Sequence, residues 1–117
     1  MIYALLIHSQ RGEADPLPAD EEEAILVEHR ALQRESRGQG DLLATARLEG
    51  TSHSRTVRKQ GGALDVSDGP YMESKEWLVG FYLLECENED EAITRAERIC
   101  PPDGSIEIRP VNWHALK

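Results

Sequence analysis

A long apolar run is missing from this sequence of 117 residues: no stretch approaches the roughly 20 residues that a membrane-spanning helix needs. The first residues, Met1–Ile7, lack the basic n-region and the small-residue cleavage site of a secretory signal peptide. They are therefore predicted to form a strand of the folded domain. With neither a membrane span nor an export signal, we expect a cytoplasmic protein with no membrane partner.

Cysteine is also scarce, with Cys86 and Cys100 alone in the chain. Neither belongs to a C-x-x-C pair, and no Cys and His residues have the spacing of a zinc site. Both lie in apolar patterns, which favours small core residues over metal ligands, and a reducing cytoplasm fits so few thiols. Gly-rich phosphate loops and the G-x-S-x-G motif are missing too, since Gly61-Gly62 is typical of a hairpin turn. We therefore expect neither a metal nor another cofactor.

Basic residues are outnumbered: 13 Lys and Arg stand against 22 Asp and Glu, giving a net charge of −9. Direct binding to nucleic acid is not expected, because phosphate contacts need clustered cations. The acidic excess lies in segments 13–35 and 85–97, whereas residues 47–59 are locally basic. Two interpretations of the basic segment remain open: a solvated cationic hairpin, or an anion-seeking hairpin beside a pocket.

Apolar periodicity and turn residues predict six strands and two helices. Asp20 is predicted to cap the first helix, with Glu23 in capping-box position, and Asn88 to cap the second, with Glu91 at the matching position. The order β-α-β-(β-β)-β-α-β predicts a single α+β domain of residues 1–117, with a ferredoxin-like antiparallel sheet, two helices and an inserted β-hairpin. The predicted strands are 2–8, 42–48, 55–59, 63–66, 78–86 and 105–109.

The strands 2–8 and 78–86 are apolar on both faces. Two short helices can cover one face of such a sheet, so a second layer is needed for the other face. Another copy of the chain is the simplest cover. The pattern therefore predicts a homodimer that forms through the sheet.

The segment from Asp68 to Glu76 reads DGPYMESKE and runs into LVGFY at 78–82. It resembles the DGPF-AETKE-x-L-G-G-F/Y signature of the DGPF branch of the YCII-related family, with Tyr71, Ser74 and Val79 in place of the usual Phe, Thr and Gly. Further blocks are similar to the family in the same order and extend the resemblance over nearly the whole chain: MIYALLIH, SRTVRKQGGALDVSDGP, ENEDEAITRAERIC and GSIEIRPV.

This resemblance implies a dimeric α/β barrel with a cleft near the sheet face. It implies no settled reaction, since the DGPF branch has none. Genes of the branch are often found near alternative sigma factors, which suggests a link to transcription. Some relatives in the wider group are proposed to use a His–Asp pair for acid–base chemistry.

The acid–base candidates in this sequence are His8, which ends the first strand, and Asp68, which begins the turn before the fifth strand. Imidazole titrates near neutral pH and a carboxylate can orient it. The alternative for Asp68 is a structural turn role, capping local backbone N–H groups.

Four further residues are candidates for ligand binding. Lys75 could hold an anionic substrate, with Tyr71 and Glu73 in the same segment, although exposed charges there could equally be solvated. His29 lies on the inward face of the first helix, where a hydrogen-bonded core histidine is the alternative. We expect a ligand-binding or regulatory module that takes a small molecule; an acid–base enzyme without a cofactor and a purely structural dimer are the alternatives.

Overall fold

The computed structural model describes residues 1–70 and 75–116, which form an α+β fold. The two helices are α1 (Ala19–Gly38) and α2 (Glu89–Ile99), and a single 3-10 turn occupies Thr51–His53. The strands are β1 (Ile2–Ser9), β2 (Leu42–Arg47), β3 (Arg55–Gln60), β4 (Ala63–Asp68), β5 (Trp77–Glu85) and β6 (Gly104–Pro110).

Four strands form one antiparallel sheet in the order β2-β5-β1-β6. This arrangement is consistent with the ferredoxin-like fold that the sequence predicts, although the sequence did not settle the strand order. The most apolar strands, β1 and β5, lie at its centre, where Leu5 pairs with Tyr82. β3 and β4 form a separate two-stranded hairpin, so the insertion does not extend the main sheet. Three apolar side chains lie exposed on this hairpin, at 66%, 72% and 59% accessibility: Val57, Leu64 and Val66.

Both helices pack on the same face of the main sheet. Alternate residues of β1 and β5 point into this layer, because side chains alternate between the two faces of a strand. Leu5 and Leu84 are fully buried there, beside Leu32 of α1 and Ile99 of α2. Arg98 of α2 bonds to two carboxylates of α1 and so ties the helices together at their solvent side.

The start of α2 confirms one predicted cap, and the start of α1 corrects another. Asn88 Oδ1 accepts a hydrogen bond from the Glu91 backbone N–H at 2.9 Å. α1 begins one residue before Asp20, with Pro18 at the N-cap, so Asp20 is part of the first helical turn and not the cap. Proline suits this position because it has fixed φ and no N–H to satisfy, and the acids of the first turn interact with the helix dipole instead.

The two cysteines have different environments. Cys86 is buried, as predicted, but Cys100 is exposed, so the prediction of a core residue was wrong there. Cys100 follows the last residue of α2, where its backbone turns to an extended conformation. The helical periodicity on which the prediction depended ends one residue earlier.

Among residues 1–70 and 75–116, no helix packs on the opposite face of the main sheet. Leu6 and Phe81 are cross-strand partners on this face, as are Ala4 and Leu83. All four side chains are only partly buried in the single chain. Both faces of the sheet are therefore apolar, as the sequence indicates. The described residues of one protomer cover only the face on which the helices pack. Among the described residues, no helix is long and apolar enough to cross a membrane.

Candidate functional site

A cavity of about 580 Å³ lies on the helix-covered side of the sheet, between α1 and strands β2 and β5. The loop after β1 and the segment 47–51 close its sides. Its lining is mainly apolar, and the volume falls in the range of roughly 300–1,000 Å³ that is typical of small-molecule sites. The apolar side chains include Ile7, Ile25, Leu26, Trp77, Val79 and Ile99.

Three polar side chains converge in the lining of this cavity. His29 Nδ1 lies 2.8 Å from Tyr82 Oη, and Gln33 Nε2 donates to the same hydroxyl at 3.0 Å. The His29 and Tyr82 rings are stacked, with centroids 5.7 Å apart and 15° between their planes. We call His29, Gln33 and Tyr82 the polar cluster.

Local structure positions the polar cluster. His29 and Gln33 are four residues apart on α1, so they lie on one helix face one turn apart. Tyr82 lies at the centre of β5 and is almost fully buried, which fixes its ring against the helix. Because a buried hydroxyl needs hydrogen-bond partners, the two α1 side chains also satisfy a polar group that the core would otherwise leave unpaired.

The hydrogen bonds of the polar cluster favour one tautomer of His29. Gln33 Nε2 donates to the Tyr82 oxygen, and the buried hydroxyl then needs an acceptor for its own proton. Among the described contacts of this hydroxyl, His29 Nδ1 can accept that proton. A neutral imidazole has one donor and one acceptor nitrogen. With Nδ1 accepting, Nε2 carries the hydrogen and is the nitrogen left to meet a ligand.

The surroundings of His29 favour its neutral form. Burial lowers the pKa of His29 below the ordinary value of 6.5, and the positive charge of Arg47 lowers it further. At neutral pH the cavity therefore contains an uncharged imidazole with an N–H group.

Charged side chains lie among the lining residues of the cavity on three elements. Arg47 of β2 and Glu22 of α1 are 3.9 Å apart, and both are substantially exposed. Glu13 accepts hydrogen bonds from the Ser52 hydroxyl and backbone, which hold the pKa of that carboxyl below its ordinary value. Arg11 lies near Asp15 and Asp103. Of these contacts, the one between Glu13 and Ser52 joins the loop after β1 to the segment that follows β2.

The predicted acid–base pair does not form within one described protomer. His8 ends β1, where it pairs with Leu78 and Ser105 across the sheet. Asp68 ends β4 on the hairpin and forms an ion pair with Arg55 at 3.2 Å. No ion pair joins His8 to Asp68 among residues 1–70 and 75–116. A joint role for these two residues stays a prediction.

The predicted ligand-binding residues have different positions. His29 lines the cavity. Lys75 is exposed, just before β5, and is not one of the lining residues. Tyr71 and Glu73 lie outside the described residues.

Sequence reasoning missed Tyr82 and Gln33. A signal was present for each of them: a tyrosine hydroxyl within the most apolar strand, and a glutamine one helical turn after an inward histidine. Neither signal shows that the two residues meet, because 49 positions separate them in the chain. In the part of the chain that the structure describes, no group of three or more His, Cys, Asp or Glu side chains could hold a metal ion.

Two comparisons with known proteins found matches. The family model of the YCII-related domain matches residues 1–113. An uncharacterized protein of Rhizobium meliloti (strain 1021) is 36% identical over 114 residues, which cover 95% of this chain and 92% of that protein. Since the family model covers almost the entire length, the chain belongs to the YCII-related family.

Proposed function

We propose that the protein is a small-molecule-binding module whose ligand occupies the cavity between α1 and the sheet. The observation that carries this proposal is the convergence of His29, Gln33 and Tyr82 in the lining of a mostly apolar cavity of about 580 Å³. An apolar lining supplies affinity, while a few fixed polar groups orient the ligand. The described site has no closely paired carboxylate and imidazole, which favours binding over acid–base catalysis.

The working unit in this proposal is a homodimer. Its support is the helix-free face of the sheet, where Leu6, Phe81 and Leu83 present apolar side chains. A second copy that packs there would remove this surface from water and form two back-to-back sheets. The cavity lies on the other side of the sheet, so each protomer would keep its own site. A role in regulation, including a link to sigma-factor-dependent transcription, is supported by the DGPF resemblance alone.

Filling the cavity tests the proposal. Ile25 lines the cavity from α1, whereas Val27, two residues on, is 49% exposed and does not line it. Small organic fragments that bind the wild-type protein should shift the backbone NMR signals of cavity residues such as Val79 and Gly80. Ile25→Trp should abolish these shifts by occupying the space, and the matched control Val27→Trp should retain them. Fragments that bind equally well to the folded Ile25→Trp variant would contradict this assignment of the site.

A further inference from the structure

We infer that the cavity selects a neutral, largely apolar molecule with one carbonyl oxygen, such as a ketone, ester or amide, which accepts a hydrogen bond from His29 Nε2. This inference rests on the proposed function and specifies the ligand class of the same site.

The polar cluster leaves one hydrogen-bond donor, the N–H group at His29 Nε2, available to a ligand in the cavity. The hydroxyl proton of Tyr82 is directed to His29 Nδ1, and the hydroxyl oxygen already accepts from Gln33. Among the described residues, His29 Nε2 has no protein partner. A donor that is half-buried and unpaired favours a ligand that brings an acceptor, because a ligand without one leaves the N–H group without water or partner. A ligand ammonium would instead place donor against donor.

The charges around the site disfavour an anion as the source of that acceptor. Among the described lining residues, two cations and three carboxylates border the cavity, Arg11 and Arg47 against Glu13, Glu22 and Glu49, a sum of 2 − 3 = −1. The whole chain, these residues included, has a net charge of −9. Arg47 is already beside Glu22 and is 80% exposed, so water screens much of its attraction for a buried anion. Removing a carboxylate from water without a close cation is costly, whereas a neutral carbonyl needs one hydrogen bond.

The two ligand classes predict opposite proton linkage at His29. Tyr82 of β5 contacts the ring and the charge of Arg47 of β2 acts on it. The other titratable or charged groups in the described cavity lining are Glu22 of α1 and, on the adjoining loops, Arg11, Glu13 and Glu49. A neutral ligand removes water from the ring without adding charge, so it lowers the His29 pKa and binds less well as the pH falls through that pKa. A carboxylate would raise the His29 pKa by charge attraction and would bind better as the pH falls.

Three probes with the same arrangement of non-hydrogen atoms distinguish these possibilities: benzylacetone, a neutral ketone; hydrocinnamate, its carboxylate analogue; and isopentylbenzene, which has no oxygen. The full-length protein is titrated with each probe, and the imidazole NMR signals are followed against pH. We expect benzylacetone to lower the His29 pKa. Above neutral pH it should also bind at least about 10-fold more tightly than hydrocinnamate, because burying the carboxylate costs free energy; a 10-fold difference corresponds to about 1.4 kcal/mol.

Replacement of the histidine tests the hydrogen bond itself. His29→Phe keeps a ring of similar size, so benzylacetone should bind about 3–10-fold less tightly, the effect of losing one hydrogen bond, while isopentylbenzene should be unaffected. His114→Phe, in the exposed C-terminal segment, is the matched control and should change neither affinity. The signal that disappears in His29→Phe also assigns the His29 resonance.

The outcomes distinguish a failure of the carbonyl inference from a failure of the proposed binding function. Tighter binding of hydrocinnamate, or a rise in the His29 pKa on addition of benzylacetone, would overturn the carbonyl inference and leave the cavity as a ligand site. Equal loss of benzylacetone and isopentylbenzene in His29→Phe would also overturn it. If none of the probes shifts the signals of cavity residues, the proposed function fails as well, since even the hydrocarbon should enter an apolar cavity of this size.

Discussion

Two residues of the cavity lining, His29 and Gly80, have environments that lead to specific predictions. His29 is a helix residue that meets a strand tyrosine 53 positions away, and this contact gives a half-buried imidazole a defined tautomer. Gly80 lines the same cavity from β5, between Ile7 of β1 and Arg47 of β2. Each residue yields a prediction that can be tested without knowledge of the ligand.

Arg47→Gln should raise the pKa of His29, because it removes the positive charge that disfavours the imidazolium. Titration of the His29 ring signals by NMR measures the change. Arg55→Gln on the hairpin, where the arginine pairs with Asp68, is the control and should leave the His29 titration unchanged. A His29 pKa that stays the same in Arg47→Gln would show that burial alone sets it.

The depressed pKa of His29 also makes stability depend on pH. Its folded-state pKa lies below the ordinary value of 6.5, so the unfolded chain binds the proton more readily. The contribution to stability is therefore complete above about pH 6.5 and is lost as the pH falls through and below that value. Urea unfolding between pH 5 and pH 8 should show a shallower pH dependence for His29→Phe than for the wild type. An identical pH dependence would mean that His29 titrates alike in both states.

Gly80→Val should reduce the free energy of unfolding by about 1–3 kcal/mol through overpacking. A Cβ atom at Gly80 would lie 2.8 Å from the carbonyl oxygen of Ala46, a backbone atom that cannot rotate away. Gly38→Ala is the control: nothing lies within 4 Å of its Cβ position, and alanine is the better helix former by up to about 1 kcal/mol. Chemical denaturation of both variants measures the difference, and an unchanged midpoint for Gly80→Val would refute close packing there.

The two helices show how far element ends depend on local sequence. α2 begins where the sequence predicts, because the Asn88 side chain and the Glu91 N–H are three residues apart and need no distant partner. α1 begins slightly earlier than predicted, with Pro18 at an N-cap that has no side-chain hydrogen bond. The fixed φ of proline is compatible with a helix start, and the acidic residues lie in the first turn, where they interact with the helix dipole.

Asn88→Ala should therefore destabilise the protein by about 1 kcal/mol, the usual cost of removing an N-cap side chain. Thermal and urea unfolding followed by circular dichroism would measure it. Asn112→Ala, in the exposed C-terminal segment, is the control and should have little effect. Asn88→Ser should restore most of the loss, and a variant as unstable as the alanine one would contradict a capping role.

On the scale of the whole molecule, one layer of helices covers a sheet that is apolar on both faces. Leu6→Glu places a charge in the middle of the helix-free face, whereas Val27→Glu places the same charge on the exposed side of α1. If the helix-free face is a dimer interface, Leu6→Glu should give a folded monomer and Val27→Glu should remain dimeric. Light scattering at micromolar concentration, with circular dichroism to check the fold, measures both. A wild-type protein that is monomeric and folded would refute the proposed dimer.

The sequence by itself determined the order and type of the elements, because each of these features depends on residues that are close in the chain. The apolar character of both faces of 2–8 and 78–86 predicted the central strands, Gly61-Gly62 predicted the hairpin turn, and Asn88 with Glu91 predicted the start of α2. The inward position of His29 also followed from helical periodicity.

The tertiary structure alone decided which distant residues meet. The sheet order and the packing of α1 on the sheet bring His29 into contact with Tyr82 and enclose the cavity. Local spacing in the sequence encodes neither this contact nor the cavity. The same order places His8 at the end of a central strand, while Asp68 pairs with Arg55 on a separate hairpin. The physical reason is that periodicity fixes the face on which a side chain lies, whereas its neighbours depend on strand order, register and helix packing across the whole domain.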